Sequence, residues 1–198
     1  MNTLFLNITR IFSLVLISSL SIAPLSGKAQ SKFHAQTVNM LLTGTSTLHD
    51  WEMKSKEGQC DATITVNDNK VTLTSFSFSM PAESLKSEHT LMDKNTYKAL
   101  NTDKNPNITL VLSSANVTPA GANTYQVKAV GKLTIAGTTK QTDVNATLKY
   151  NPATKSFTCT GTKSFKMSEY GVKPPTVMMG TIKTGDPITI SYTLVIKS

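Results

Sequence analysis

The sequence predicts an all-β protein: an eight-stranded antiparallel up-and-down barrel, with one short helix between its third and fourth strands. Three observations predict it. Apolar and polar residues alternate with period two from Thr37 almost to the C-terminus, the pattern of strands with one dry and one wet face. Short stretches of turn-forming residues separate most of the alternating runs. Successive antiparallel strands leave two unpaired edges unless the sheet closes on itself, and closure is the simplest way to remove them.

Residues 1–29 are expected to lie outside this fold. Arg10 precedes the apolar stretch "IFSLVLISSLSIAPL", and Gly27 and Ala29 supply small residues at cleavage positions. That is the layout of a secretory signal peptide, with a core too short and too rich in Ser for a membrane span. Cleavage after Ala29 leaves residues 30–198 as a single domain. No Cys follows to take a lipid, so the expected product is soluble and exported, periplasmic or secreted.

The first strand is predicted over 37–55, with Val38, Met40 and Leu42 on one face and Thr37, Asn39 and Thr43 on the other. It contains "GTSTLHDW", Gly44 to Trp51, ending in the chain's single tryptophan. The inward positions are even-numbered up to Leu48 and odd-numbered from Trp51, so the phase slips at His49–Asp50. A β-bulge produces such a slip, and long barrel strands bend at bulges. A structural bend is therefore favoured there over a polar contact from His49 to a ligand, and both over catalysis.

The second strand, 59–67, puts Ala62, Ile64 and Val66 inward; the third, 70–80, slips phase between Leu73 and Phe76, near Ser75. In the long link 81–106, Leu91, Met92, Tyr97 and Leu100 suit a short amphipathic helix ending before Pro106. The next three strands are 107–117, 124–136 and 141–150. Their inward sets begin with Ile108, Leu110 and Leu112, then Tyr125 through Ile135 in alternation, then Val144, Ala146, Leu148 and Tyr150. The seventh, 155–167, places Phe157, Cys159, Gly161 and Phe165 inward. An irregular loop is expected over 168–186, followed by the eighth strand, 187–197. Links after odd-numbered strands fall at one end of such a barrel, and both long links belong to that set. One end is plain; the other is a mouth. A barrel of this size can hold one small ligand.

Composition narrows the function. The chain carries 20 Lys and Arg against 12 Asp and Glu. Setting aside Arg10 and Lys28 leaves 18 against 12, about +6 for the exported part. The cations are scattered and no aromatic residues interleave with them, so a nucleic-acid platform is not expected. The mild positive charge would allow transient contact with an anionic membrane surface. Ser46, His49 and Asp50 are triad ingredients, but strand neighbours point to opposite faces and "GTSTL" lacks the second glycine of a nucleophile elbow. His34, His49 and His89 have no metal-ligand spacing. No enzyme activity, metal or cofactor is expected. Cys60 and Cys159 fall on inward phases of separate strands. Strand order places them too far apart for the ~7 Å a bridge requires, so two buried thiols are favoured over a disulfide.

"GTSTLHDW", "TYKALNTDKNPNITLVL", "GKLTIAGTTKQTDV" and "SEYGVKPPTVMMG", in this order, resemble stretches of the bacterial YceI-like family, the polyisoprenoid-binding proteins. The resemblance runs from about residue 37 to 197. It implies a lipocalin-like barrel in the periplasm that carries a long isoprenoid lipid, such as a polyprenyl phosphate or a quinone tail. It supplies no catalytic residues.

The inward residues support that ligand class independently. They are aliphatic and aromatic, with small residues (Ala62, Ala129, Gly131, Ala146, Gly161) that leave space. Burying one five-carbon isoprene unit gains about 3–4 kcal/mol gross at ~0.8 kcal/mol per methylene, offset by the cost of ordering the chain. Tail length is then read by where the barrel ends, and the head by polar groups at the mouth. The expected lumen lining is Met40, Leu42, Trp51, Phe76, Phe78, Leu110, Leu112, Leu133, Phe165 and Tyr192. His49, His89, Tyr170 and Lys173 are the candidates for the head. Met92, Tyr97, Met178 and Met179 are the candidates for an adaptable apolar lid. The alternative is a closed, ligand-free barrel that acts through its surface in the envelope.

Overall fold

The computed structural model describes residues 30–67 and 70–198. The expected signal peptide, 1–29, and the turn residues Asp68 and Asn69 lie outside the described residues. The strands are β1 (Ser31–Ser46), β2 (Trp51–Ser55), β3 (Gln59–Asn67), β4 (Lys70–Pro81), β5 (Asn107–Gly121), β6 (Thr124–Ile135), β7 (Thr138–Asn151), β8 (Ser156–Lys166), β9 (Thr176–Val177) and β10 (Ile182–Lys197). One helix, α1 (Thr90–Leu100), lies between β4 and β5. Every pairing is antiparallel, and β1 pairs with β10 to close the barrel.

β2 and β3 together form a single barrel strand. Both face β1, Met40 opposite Ser55 and His34 opposite Asp61, in one register whose partner numbers add to 95 throughout. Residues 56–60 have no partner in β1, and the register resumes unshifted at Asp61. Eight strands therefore close the barrel, and β9 is a two-residue addition on the edge of β10.

This corrects the reading of 37–55 as one bent strand. "GTSTLHDW" is a hairpin, with Gly44 opposite Trp51. Opposed residues in a ladder share a face, and an odd register sum pairs every even position with an odd one. A four-residue loop thus reverses the parity of the inward set as completely as a bulge does. The alternation alone could not separate the two. The other predicted slip is a bulge: Thr63 pairs Ser75 while Ile64 pairs Leu73, leaving Thr74 over.

The helix follows the predicted 91–100 closely and stops at Asn101, whose left-handed φ of 53° ends it. Ala136 and Gly137 both have positive φ, 47° and 78°, as a tight turn between twisted strands requires. The region expected as an irregular loop is built. Single 3-10 turns occupy Met167–Tyr170 and Met178–Gly180, and β10 starts at Ile182 rather than 187. In the first of these turns the backbone N–H of Ser168 and its hydroxyl both donate to Asp186, the Lys166 N–H donates to Glu169, and Gly171 ends the turn at φ 71°. The hydrogen bonds to Ser168 hold the Asp186 carboxyl below its ordinary pKa. Residue-to-residue alternation carries no trace of such local polar closure.

Packing divides the barrel into two halves. Toward the plain end Phe33, Ile64, Val71, Tyr125, Val127, Leu148 and Ile196 are buried, around a Phe157 that is 0% exposed. Phe157 meets Phe33 edge-on with ring centres 5.4 Å apart, and Tyr150 at 4.7 Å. None of these residues lines the cavity of the other half.

Candidate functional site

The mouth half encloses a cavity of about 510 Å³ that opens at the end carrying α1, the 47–50 turn and the 167–181 segment. Its wall is made by alternate residues of successive strands: Met40 and Leu42 of β1, Trp51 and Met53 of β2, Phe78 and Met80 of β4, Ile108 and Leu110 of β5, Leu133 and Ile135 of β6. Phe165 of β8 and Ile188, Ile190 and Tyr192 of β10 complete it, and Met92, Ala99 and Leu100 bring the helix over one side.

Its floor is set by a large residue against a small one. Tyr192 faces Gly161 across the β8–β10 ladder, and any Cβ at Gly161 would collide with its hydroxyl. The Tyr192 hydroxyl donates to the Asn145 carbonyl, at 3.2 Å. Burial raises its pKa, so it stays a protonated donor at ordinary pH.

The rim is held by "GTSTLHDW", and each residue of the motif has a use. The Trp51 ring lies over the Cα of Gly44, where a side chain would strike it. The indole N–H donates to the Thr45 carbonyl at 2.9 Å. The Ser46 hydroxyl donates to the His49 carbonyl and accepts the N–H groups of Leu48 and His49, which closes the turn. The turn is then tied to β10: the Thr47 N–H donates to the Lys183 carbonyl, and the Lys183 N–H to the Thr47 hydroxyl. The triad ingredients are engaged in this work. His49 Nδ1 donates to the Asp50 carbonyl at 2.6 Å rather than meeting Ser46 Oγ. Among the described residues no group of three or more His, Cys, Asp and Glu could hold a metal ion.

Of the residues singled out from sequence, Met40, Leu42, His49, Trp51, Phe78, Met92, Leu110, Leu133, Phe165, Tyr170 and Tyr192 line this cavity, together with His89. Tyr170 packs edge-on against Phe165, with ring centres 5.1 Å apart; burial, with a smaller effect of Glu169, raises its pKa. Six others stand elsewhere. Phe76 and Leu112 border a second hollow of about 340 Å³, beside Lys32 and His34. Tyr97 fastens α1 to the preceding turn, its hydroxyl 2.9 Å from the carbonyls of Glu83 and Leu85. It also accepts from the Lys86 ammonium, which raises the Lys86 pKa. Met178 and Met179 point outward, both exposed, at left-handed φ of 51° and 52°. Lys173 is exposed away from the lining.

Met53, Met80, Val144, Ile188 and Ile190 also line the cavity; they share the inward parity of the residues expected to line it, and that parity was the available signal. Lys163 also lines the cavity. It stands two residues from Gly161 and from Phe165, in the inward register of its strand.

Cys60 and Cys159 are free and buried. Burial pushes both thiols up to about 12, and Cys159 adds to the shift at Cys60.

A model of the YceI-like domain matches residues 28–196. No curated protein matches the chain. Among solved structures, Burkholderia cenocepacia BcnA is similar at a TM-score of 0.61 and 20% identity, over 80% of this chain and 95% of that one. A polyisoprenoid binding domain from Saccharophagus degradans, implicated in plant cell wall breakdown, gives 0.61 at 9% identity over 84% and 98%. A Campylobacter jejuni YceI protein gives 0.53 at 16% identity over 70% and 82%. At these identities the structural likenesses establish a common fold.

Proposed function

The chain belongs to the YceI-like family, and on that premise we propose that it is an exported carrier of a long isoprenoid lipid, a polyprenyl phosphate or a quinone tail, held in the barrel lumen. The observation that carries this reading is the apolar, open cavity of the mouth half. The polyisoprenoid-binding description of the Saccharophagus degradans relative supports the same ligand class. Export rests on the leader-like residues 1–29 and places the carrier in the periplasm or outside the cell. Leu48, Leu91, Met178 and Met179 are exposed at the mouth end, where a lipid enters. Contact with a membrane surface during loading belongs to the same reading.

Volume sets the tail length. A 150 Å³ apolar cavity takes one benzene, so about 510 Å³ accommodates on the order of twenty carbons, roughly four isoprene units. Affinity for a tail series should rise steeply with length to about that point and then level off, because further units leave through the mouth. The test is native mass spectrometry of protein purified from its own envelope, followed by incubation with polyprenyl phosphates and quinones of graded length. A stoichiometric isoprenoid adduct with that length dependence is the expected result. An apo mass unchanged by every lipid overturns the carrier reading.

A further inference from the structure

The wall of the mouth half is open on one side. The β7–β8 ladder runs only from Asn151–Ser156 to Ala146–Gly161, although β7 begins at Thr138 and β8 continues to Lys166. Their other neighbours stay paired: β6 follows β7 to Thr138, and β10 follows β8 to Lys166. The gap therefore lies between β7 and β8 alone. The gap reaches the lumen: Thr142 through Asn145 of β7 and Thr162 and Lys163 of β8, which flank it, all border the cavity. Side chains take up β7 carbonyls along this edge. Asn145 accepts from Tyr192, and Asp143 from the Lys163 ammonium at 3.0 Å.

Lys163 is the one lysine among the lining residues. It sits opposite Ile190 in the ladder, so its register points it to an apolar lumen, and its ammonium reaches the Asp143 carbonyl on the β7 edge. Its partner is a neutral carbonyl, and it forms no salt bridge among the described residues. An ammonium has three donors, so two remain to offer, along with a positive charge at the border of apolar space. The carboxylate of Asp143 is in the outward phase and exposed, and offsets part of that charge from the solvent side.

We propose that this slit is a side port in which the anionic phosphate head of a lipid sits on Lys163 while the tail fills the lumen. The port rests on the carrier reading and sharpens it: a charged head is selected over an uncharged one. Lysine is suited to the task as a point charge that accepts phosphate from several directions. A slot in the wall keeps the head on the solvent side while the tail lies in the lumen, so the charge need not enter apolar space.

The test compares a four-unit polyprenyl phosphate with the uncharged alcohol of the same length, read by fluorescence of Trp51, the sole tryptophan. Wild type, Lys163→Met and Lys163→Arg are measured with each. Wild type should prefer the phosphate by about tenfold or more. Lys163→Met should reduce that preference to near unity by weakening the phosphate far more than the alcohol, and Lys163→Arg should keep most of it. Millimolar inorganic phosphate should displace neither lipid. The port is overturned if Lys163→Met retains the preference, if it weakens both lipids equally, or if inorganic phosphate competes fully, which would mark a free-anion site. A wild type that binds both lipids equally keeps the carrier and loses the port. One that binds neither loses both.

Discussion

The two halves of the barrel are built from the same alternating strands and reach opposite ends. In the plain half inward side chains meet across the axis, and Phe33, Tyr150 and Phe157 close it with aromatic contacts. In the mouth half the inward residues are just as apolar, yet they surround about 510 Å³ of space. Alternation therefore specifies which side of a strand is dry, not whether the dry side is filled. Filling depends on where large residues stand opposite small ones, and on what the links do at each end. The plain end has only short turns, so its strands converge on packed rings. The mouth carries α1 and the 167–181 segment, held by Tyr97, Thr47, Ser168 and Asp186 through polar contacts as well as by the buried Leu100, Tyr170 and Val172.

The sharpest way to break this comparison is to truncate one residue from each half. Phe157→Ala empties a fully buried site and should cost about 3–5 kcal/mol. Leu133→Ala, facing space already, should cost about 1 kcal/mol. Urea unfolding of both variants checks it, and equal losses would mean that the mouth half is packed after all. Next in size is Gly44→Val, which places a branched side chain where the Trp51 ring lies. It should cost about 1–3 kcal/mol and shift Trp51 emission toward that of a solvated indole. Unchanged emission would show that the ring does not depend on the glycine.

The smallest effect concerns the thiols. Their pKa rises from 9.0 to about 12 on folding, so the folded state favours the neutral form. That stabilisation is complete below about pH 9 and is lost as pH rises from there toward 12. Tm should fall by about 4–8 °C between pH 9 and 10, and by less in the Cys60→Ala, Cys159→Ala variant. An identical fall in both proteins would remove the thiols from the account.

Much of the fold was legible because a sheet's parity is written residue by residue. The all-β class, the eight barrel strands, the helix before Pro106, the mouth at the end with long links and the bulge near Ser75 all follow from period two and turn chemistry. Most of the lumen residues were legible for the same reason. Parity also marked its own limit at His49–Asp50, where a hairpin with an odd register sum leaves the same signature as a bulge. Phe76 and Leu112 carry an inward signature too, but the β4–β5 ladder ends at Ser77 and Val111, beside the second hollow that they border.

What the sequence by itself determined is the set of dry faces and the order in which they are joined, because alternation and turn preference are local and need no partner. Tertiary structure alone decided how far each ladder runs, and so where the wall is sealed and where it opens. It set the floor at Tyr192 and Gly161, whose contact spans two strands far apart in sequence. It brought Lys163 to an open seam in an apolar wall. Those outcomes depend on distances across a closed barrel, which no window of neighbouring residues contains.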